Sequence, residues 1–148
     1  MSTKRAAVRA AVYLILRQEE QVLLARRYHT GFQDGNYSLV SGHVELGESL
    51  TSAMVREAYE EAGITLLSSQ VEFVHLLHRK SDDDLIYFDF FFVAHEWTGT
   101  VVNCEPDRCD DLRWFPISAL PVNMVGYVRD VLSTLADGTR LSESGWSA

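Results

Sequence analysis

The sequence predicts an α/β chain of the α+β type, a layered αβα sandwich in which strands dominate. Three observations lead there. Runs rich in β-branched and aromatic residues recur from residue 8 to residue 117. Helical periodicity is confined to two stretches, and one of these lies between groups of strands. The 148 residues carry no internal repeat, linker or low-complexity segment, so 1–148 reads as one domain with enough buried surface for a core.

Taken in order, the N-terminal "MSTKRAAVRAAVYLIL" sets basic residues before an apolar run, as an export signal does. Arg9 interrupts that run, Arg17 ends it, and no small-residue cleavage site follows, so the segment reads as a strand. "VRAAVYLILR" (8–17) and "QVLLARRY" (21–28) flank the polar "QEE" and predict a hairpin. "HTGFQDGN" (29–36) is a loop, its glycines and turn formers leaving nothing periodic. "YSLV" and "HVEL" predict short extended pieces on either side of a turn at Ser41–Gly42. Residues 49–62 form a helix with Ser49 as N-cap and Gly63 just past its end. Strands at 71–79 and 85–95 are joined by "SDDD", a solvated turn. The loop "NCEPDRCDD" (103–111), the strand "LRWFPI" and a closing helix over 123–136 complete the chain.

Thirteen Lys and Arg face 21 Asp and Glu, a net charge of −8. No cationic field exists to gather phosphates, so no nucleic acid polymer and no anionic membrane is expected as partner. No stretch reaches transmembrane length. Cys104 and Cys109 are too few for a disulfide framework or a thiolate zinc site, and free thiols of a cytoplasmic protein are expected.

The helix at 49–62 is unusual in where its acids point. At about 100° per residue, Leu50, Met54, Glu57 and Glu61 fall on one line, flanked by Ala53 and Ala58, with Glu60 beside Glu57. Two glutamates therefore continue the helix's own apolar stripe. Burying unpaired carboxylates costs several kcal/mol, and acids three and four apart repel one another. Arg56 neutralises one charge. A hard divalent cation held by oxygens, or a structural salt-bridge cluster, accounts for the rest, and periodicity alone does not choose.

The wider spacing does. Gly42, five residues, Glu48, seven residues, then Arg56-Glu57-Ala58-Tyr59-Glu60-Glu61-Ala62-Gly63-Ile64 resembles the Nudix box, G-x5-E-x7-R-E-U-x-E-E-x-G-U. Seven fixed letters match, on the order of one chance window in 10⁸. Ala58 is smaller than the aliphatic usual at its place. "DFFFVAHEW", "EPDRC" and "LRWFPISALP" also look like the MutT-like bacterial group of Nudix hydrolases. The resemblance implies an αβα sandwich on a mixed sheet, with the box as a metal-binding loop–helix–loop. It implies Mg²⁺-dependent hydrolysis, with Mn²⁺ as a substitute, of a nucleoside triphosphate or another nucleoside diphosphate derivative, releasing nucleoside monophosphate and pyrophosphate. Nucleotide sugars, ADP-ribose, dinucleoside polyphosphates and noncatalytic nucleotide sensing are the alternatives. Relatives often pair as homodimers.

By the same resemblance Glu60 and Glu61 are metal ligands, and Glu57 is a ligand or the base that deprotonates water. Arg56 holds Glu57 through a bidentate pair, and Glu48 ties the loop to the helix. Glu105 is the best candidate for an additional glutamate from a distant loop, ahead of Asp107, Asp110 and Asp111. Relatives carry Pro-Gly-Gly before the box, where the carbonyl ahead of the box glycine binds metal; here Val40 and Ser41 stand there. Ser41 still offers its carbonyl, but serine resists positive φ values that glycine accepts.

Weaker expectations come from single residues. Asp89 is out of place in "LIYFDFFFVA", so it is either hydrogen-bonded inside the fold or facing a substrate cleft. Arg26 and Arg27 end a strand leading to the box and are candidates for phosphate contact. Phe32, Tyr28, Phe90 and Trp114 are candidates for stacking on a base. His75 and His78, three apart on a strand, face opposite sides and form no metal pair.

Overall fold

The computed structural model describes residues 4–147. The first three residues of the basic N-terminal stretch and Ala148, and with them the extreme ends of the predicted 1–148 domain, lie outside the described residues. Strand β1 (Arg9–Gln18) is the axis of an eight-stranded mixed sheet. It runs parallel to β6 (Ile86–Ala94) and antiparallel to both β2 (Gln21–Arg27) and β4 (Val40–His43). Outward from β2 lie β3 (Tyr37–Ser38) and β7 (Cys109–Pro116), and outward from β6 lie β5 (Glu72–Lys80) and β8 (Leu141–Ser144).

Period-2 alternation along β1 and β6 builds two cores. Val12, Leu14, Leu16 and Phe92 point to one face, where they meet Ala53, Met54, Ala58 and Ala62 of helix α1 (Leu50–Ala62). Ala11, Tyr13, Ile15 and Phe91 point to the other, where Val128, Val131 and Leu132 of α2 (Gly126–Thr134) cover them. Both faces of β1 are therefore buried, which is why its sequence is a nearly unbroken apolar run. The result is the αβα sandwich expected.

Most elements fall where the sequence puts them. The closing helix is shorter than 123–136, and a 3₁₀ turn at Leu135–Asp137 finishes it. Strand β7 starts at Cys109, inside the segment expected to be loop. Ser41–Gly42 is not a turn: both residues lie within β4, with Ser41 opposite Tyr13 and Gly42 opposite Val12. The positive φ expected to strain Ser41 does not arise, since the non-glycine residues with positive φ are Glu19, His29, Gln33 and Asp84. The chain reverses later, around Glu45–Glu48. Among the described residues no helix is long and apolar enough to cross a membrane.

Helix α1 meets its face of the sheet with small residues, while Phe90, Phe92, Trp97 and Trp114 supply bulk from the other side. Ala58 is fully buried. The smaller residue at that box position is thus matched by larger ones opposite. Ala58→Leu is expected to destabilise the chain by about 1–3 kcal/mol through overpacking, measured by urea unfolding, although a larger aliphatic is the commoner choice in the box.

Candidate active site

One turn of sequence creates the site's frame. Ser49 caps α1 by accepting from the Ser52 N–H at 3.1 Å, and Gly63 ends it in the left-handed region at φ 69°, its N–H bonded to the Tyr59 carbonyl. Between these caps α1 lies so close to β4 that a Cβ on Gly42 would sit 2.1 Å from the Glu57 carboxyl carbon. Only glycine lets that carboxylate occupy the space it does.

Arg56 is the hub. Its Nε and Nη2 donate to the two oxygens of Glu48 at 3.0 and 2.7 Å, Nη2 also to the His43 carbonyl at 3.1 Å, and Nη1 to Glu57 at 2.8 Å and Glu60 at 3.0 Å. The bidentate partner is therefore Glu48 rather than Glu57, because Glu48 lies side-on to the guanidinium fork. Glu48 additionally accepts from the Glu45 N–H at 2.8 Å, which closes the loop onto the helix. The Arg56 bonds, followed by that backbone bond, hold the Glu48 carboxyl down at about 2.

Glu57 and Glu61 behave in the opposite way. Burial raises the Glu57 carboxyl above its ordinary value, with Arg56 pulling against it. Burial pushes Glu61 well above the carboxylate range, and the charges of Glu57 and Glu105 push it further. The Ser41 N–H, 3.0 Å from Glu61, opposes this. The two carboxyl groups belong to the same face of α1, one helical turn apart, and both line the cleft described below.

The donor chemistry is the test of whether a divalent cation fits. Two largely desolvated carboxyl groups one helical turn apart, with Glu60 beside them, are an oxygen donor set that suits a hard cation. Among the described residues no three acidic, imidazole or thiol side chains already close on one point. Arg56 holds Glu57 and Glu60 through one oxygen each. The donor chemistry of Glu57, Glu60 and Glu61 fits Mg²⁺ or Mn²⁺, and Ser41 lines the same cleft.

These groups line one wall of a cleft of about 870 Å³. Arg26, Arg27 and Arg108 bring positive charge to it, and Glu105 and Phe32 also line it. Glu105 is set in place by Asn103, whose side chain accepts from the Glu105 N–H at 3.0 Å and donates to the Cys109 carbonyl at 2.7 Å. Asp107, Asp110 and Asp111 do not line the cleft; Asp110 pairs with Arg26 and Asp111 with Arg113. Arg27 spends Nε on the Phe32 carbonyl at 2.6 Å and Nη2 on Thr30 at 3.0 Å, so it braces the 29–36 loop. Phe32, 42% exposed, lies under its guanidinium.

Asp89 is wholly buried and does not line the cleft. It pairs with Arg79, which does. Phe90 and Trp114 pack in the α1-side core, and Tyr28 stacks on His29 outside the cleft. His75 is buried between the Thr139 carbonyl and the Ser142 hydroxyl, whereas His78 packs at a tilt against Phe88 and Trp146. Cys104 and Cys109 are free thiols. Arg79, Tyr87, Asn103, Arg108 and Tyr127 escaped sequence reasoning; the out-of-place Asp89 was the one signal pointing to any of them.

The two kinds of carboxylate have opposite pH signatures. Glu48, depressed in the fold, contributes stability that is complete above about pH 4.5 and is lost as pH falls toward about 2. Glu57 and Glu61, raised in the fold, contribute stability that is complete below about pH 4.5 and is lost as pH rises through their folded values. The metal-free chain should therefore lose thermal stability above that point, and Glu61→Gln should flatten the loss. Mg²⁺ should raise Tm more at about pH 8 than at about pH 5, since cation binding requires ionised ligands. Melting curves of both proteins across pH, with and without Mg²⁺, check this; identical curves would refute it.

A family model for the NUDIX domain matches residues 6–135. The chain is 32% identical over 117 residues to the NAD-capped RNA hydrolase NudC of Chromobacterium violaceum, covering 75% of this chain and 39% of that protein. It is 37% identical over 111 residues to NudC of Salmonella heidelberg, covering 75% of this chain and 40% of the relative. The chain thus spans about two fifths of the length of the curated relatives it matches. Among solved structures, the MutT NUDIX hydrolase from Burkholderia pseudomallei superposes with a TM-score of 0.80 at 24% identity, over 86% of this chain and 98% of that one. The E. coli ORF135 protein superposes with a TM-score of 0.73 at 26% identity, over 88% and 89%. A matched domain over most of the chain, together with the box on its helix, makes this protein a member of the Nudix hydrolase family.

Proposed function

We propose that the chain is a divalent-metal-dependent hydrolase that cleaves the diphosphate linkage of a nucleoside diphosphate derivative, a nucleoside triphosphate in the first instance. The observation that carries this reading is the pair Glu57, set against Gly42, and Glu61, held by the Ser41 N–H, both lining a cleft that also holds five arginines. When bound, Mg²⁺ supplies neutralisation of phosphate oxygens and lowers the pKa of coordinated water. Glu57, Glu60, Glu61 and the Ser41 carbonyl would hold it.

The remaining work belongs to protein groups. Arg26 and Arg108 face the cleft and neutralise phosphate charge. Arg27 acts through the loop it braces, keeping Phe32 at the cleft for contact with the substrate. Arg56 restrains Glu57 and Glu60 without occupying both oxygens of either. Glu105, whose charge reaches Glu61, takes the proton of the attacking water as general base. Phosphoryl transfer asks for positioning and charge neutralisation more than covalent chemistry, and this inventory supplies both.

A second reading has its own support: the NudC relatives are named for NAD-capped RNA, in which a dinucleotide diphosphate is joined to a polymer. The net charge of −8 favours the small dinucleotide over the polymer as the substrate of this chain.

Release of phosphate or pyrophosphate from a nucleotide panel, with Mg²⁺ and with chelator, tests the assignment. Glu61→Gln should lower kcat by at least about 100-fold, more than loss of an outer partner does; turnover indifferent to both chelator and this change would rule the reading out. Glu105→Ala should lower kcat by about 10²- to 10⁴-fold. Wild-type kcat in that variant removes Glu105 from the mechanism.

A further inference from the structure

The far wall of the cleft carries a second device, built on Arg79. Its Nε and Nη2 donate to the two oxygens of buried Asp89 at 2.6 and 3.3 Å. Tyr87, from β6, and Tyr127, from α2, each bring a ring centroid to 4.2 Å from its Cζ. Tyr127 is itself fixed by a hydroxyl–hydroxyl bond of 2.9 Å to Tyr13. Such a guanidinium has lost its rotational freedom, and that cost is met by folding rather than by binding.

What remains unused is its end. Nη1 has no hydrogen-bond partner among the described residues, and the sole buried side-chain polar atom without one there is Nε of Arg17. Nη1 therefore keeps some accessible surface although Arg79 is only 7% exposed, and Arg79 lines the cleft. The Nη1–Nη2 end presents two parallel N–H donors at a fixed position. Its complement is a pair of acceptors on one edge of a planar group, or two oxygens of a phosphate.

The surroundings choose between these. Ser81, Asp82 and Asp83 follow Arg79 in the chain and line the same cleft. The Ser81 hydroxyl and the Leu85 N–H hold the Asp83 carboxyl below its ordinary value, so it stays charged. Carboxylates beside the arginine repel phosphate. The phosphate end of a substrate belongs instead at the box, with Arg26 and Arg108. An uncharged base suits the Arg79 end.

We propose that Arg79 is a specificity-determining residue whose Nη1–Nη2 edge reads the O6 and N7 acceptors of a 6-oxopurine base. Adenine offers an amino donor in place of O6, which an arginine edge cannot accept. This inference deepens the proposed hydrolysis and rests on it for the substrate's orientation, but base selection is separable from turnover.

The test compares GTP, ITP and ATP as substrates of the full chain with Mg²⁺, and GMP with AMP as ligands by calorimetry without turnover. Wild type should favour GTP and ITP over ATP by about 10-fold or more in kcat/KM, mainly through KM, and bind GMP over AMP by a similar factor. Arg79→Lys keeps a cation on Asp89 but loses the paired donors, and should bring both ratios within about 3-fold. Should that variant unfold, the double change Arg79→Leu with Asp89→Leu removes both buried charges together, which folds tolerate better, and should also lose the preference. Equal GMP and AMP binding by wild type, or a preference surviving in a folded variant, overturns the proposal. A chain that hydrolyses no nucleotide yet binds GMP over AMP in an Arg79-dependent way supports the subsite and overturns only the hydrolase reading.

Discussion

The close approach of α1 to β4 is the constraint on which the rest of the site depends. Because Gly42 has no side chain, the Glu57 carboxylate fits against the strand backbone. The Ser41 N–H, next along that strand, meets Glu61 one helical turn further on. Had the helix stood off by a side chain's width, both acids would face water at ordinary pKa values. They would then be a solvated helix edge. Small residues on the buried side of α1, set against phenylalanines and tryptophans opposite, help hold the helix at that distance.

Arg56 adds a second layer of order. Its donors serve three carboxylates and one carbonyl, drawn from the end of β4, the β4–α1 loop and α1 itself. Loop and helix thereby become one body, with Val44 of the loop packed in the same apolar cluster as the buried face of α1. One cation against Glu48, Glu57 and Glu60, with Glu61 behind, leaves the cluster short of positive charge. That deficit is an unfavourable feature of the resting fold, and under the proposed function it is where a divalent ion would gain binding energy.

The box was legible because it is a statement about spacing, and spacing survives without knowledge of the fold. Helical periodicity located Glu57 and Glu61 on the buried stripe. Ser41 was misjudged because the turn was assigned from glycine alone, whereas pairing with β1 keeps Ser41 and Gly42 extended. Strand β8 escaped notice for a related reason: "LSES" has no strand pattern of its own and is ordered by parallel pairing with β5. The bidentate partner of Arg56 also depends on three-dimensional placement, since Glu48 and Glu57 are both compatible with the linear motif.

Arg79 illustrates the limit most clearly. A carboxylate within "IYFDFFFVA" had to be either hydrogen-bonded inside the fold or turned to a cleft, so Asp89 was readable as special. The identity of its partner was not, because that depends on hairpin register. The observed register sets Leu77 opposite Asp89 and Arg79 opposite Tyr87, which makes Arg79–Asp89 a diagonal pair on one face. A slip of one residue would have turned Arg79 to the α1 side and left Asp89 facing Tyr13 and Phe91 without compensation. The buried ion pair therefore discriminates among registers more sharply than the apolar residues around it, which alternate on both faces. The group that fixes the hairpin is the same group that presents donors to the cleft, so the far wall is as firmly placed as the core beneath it.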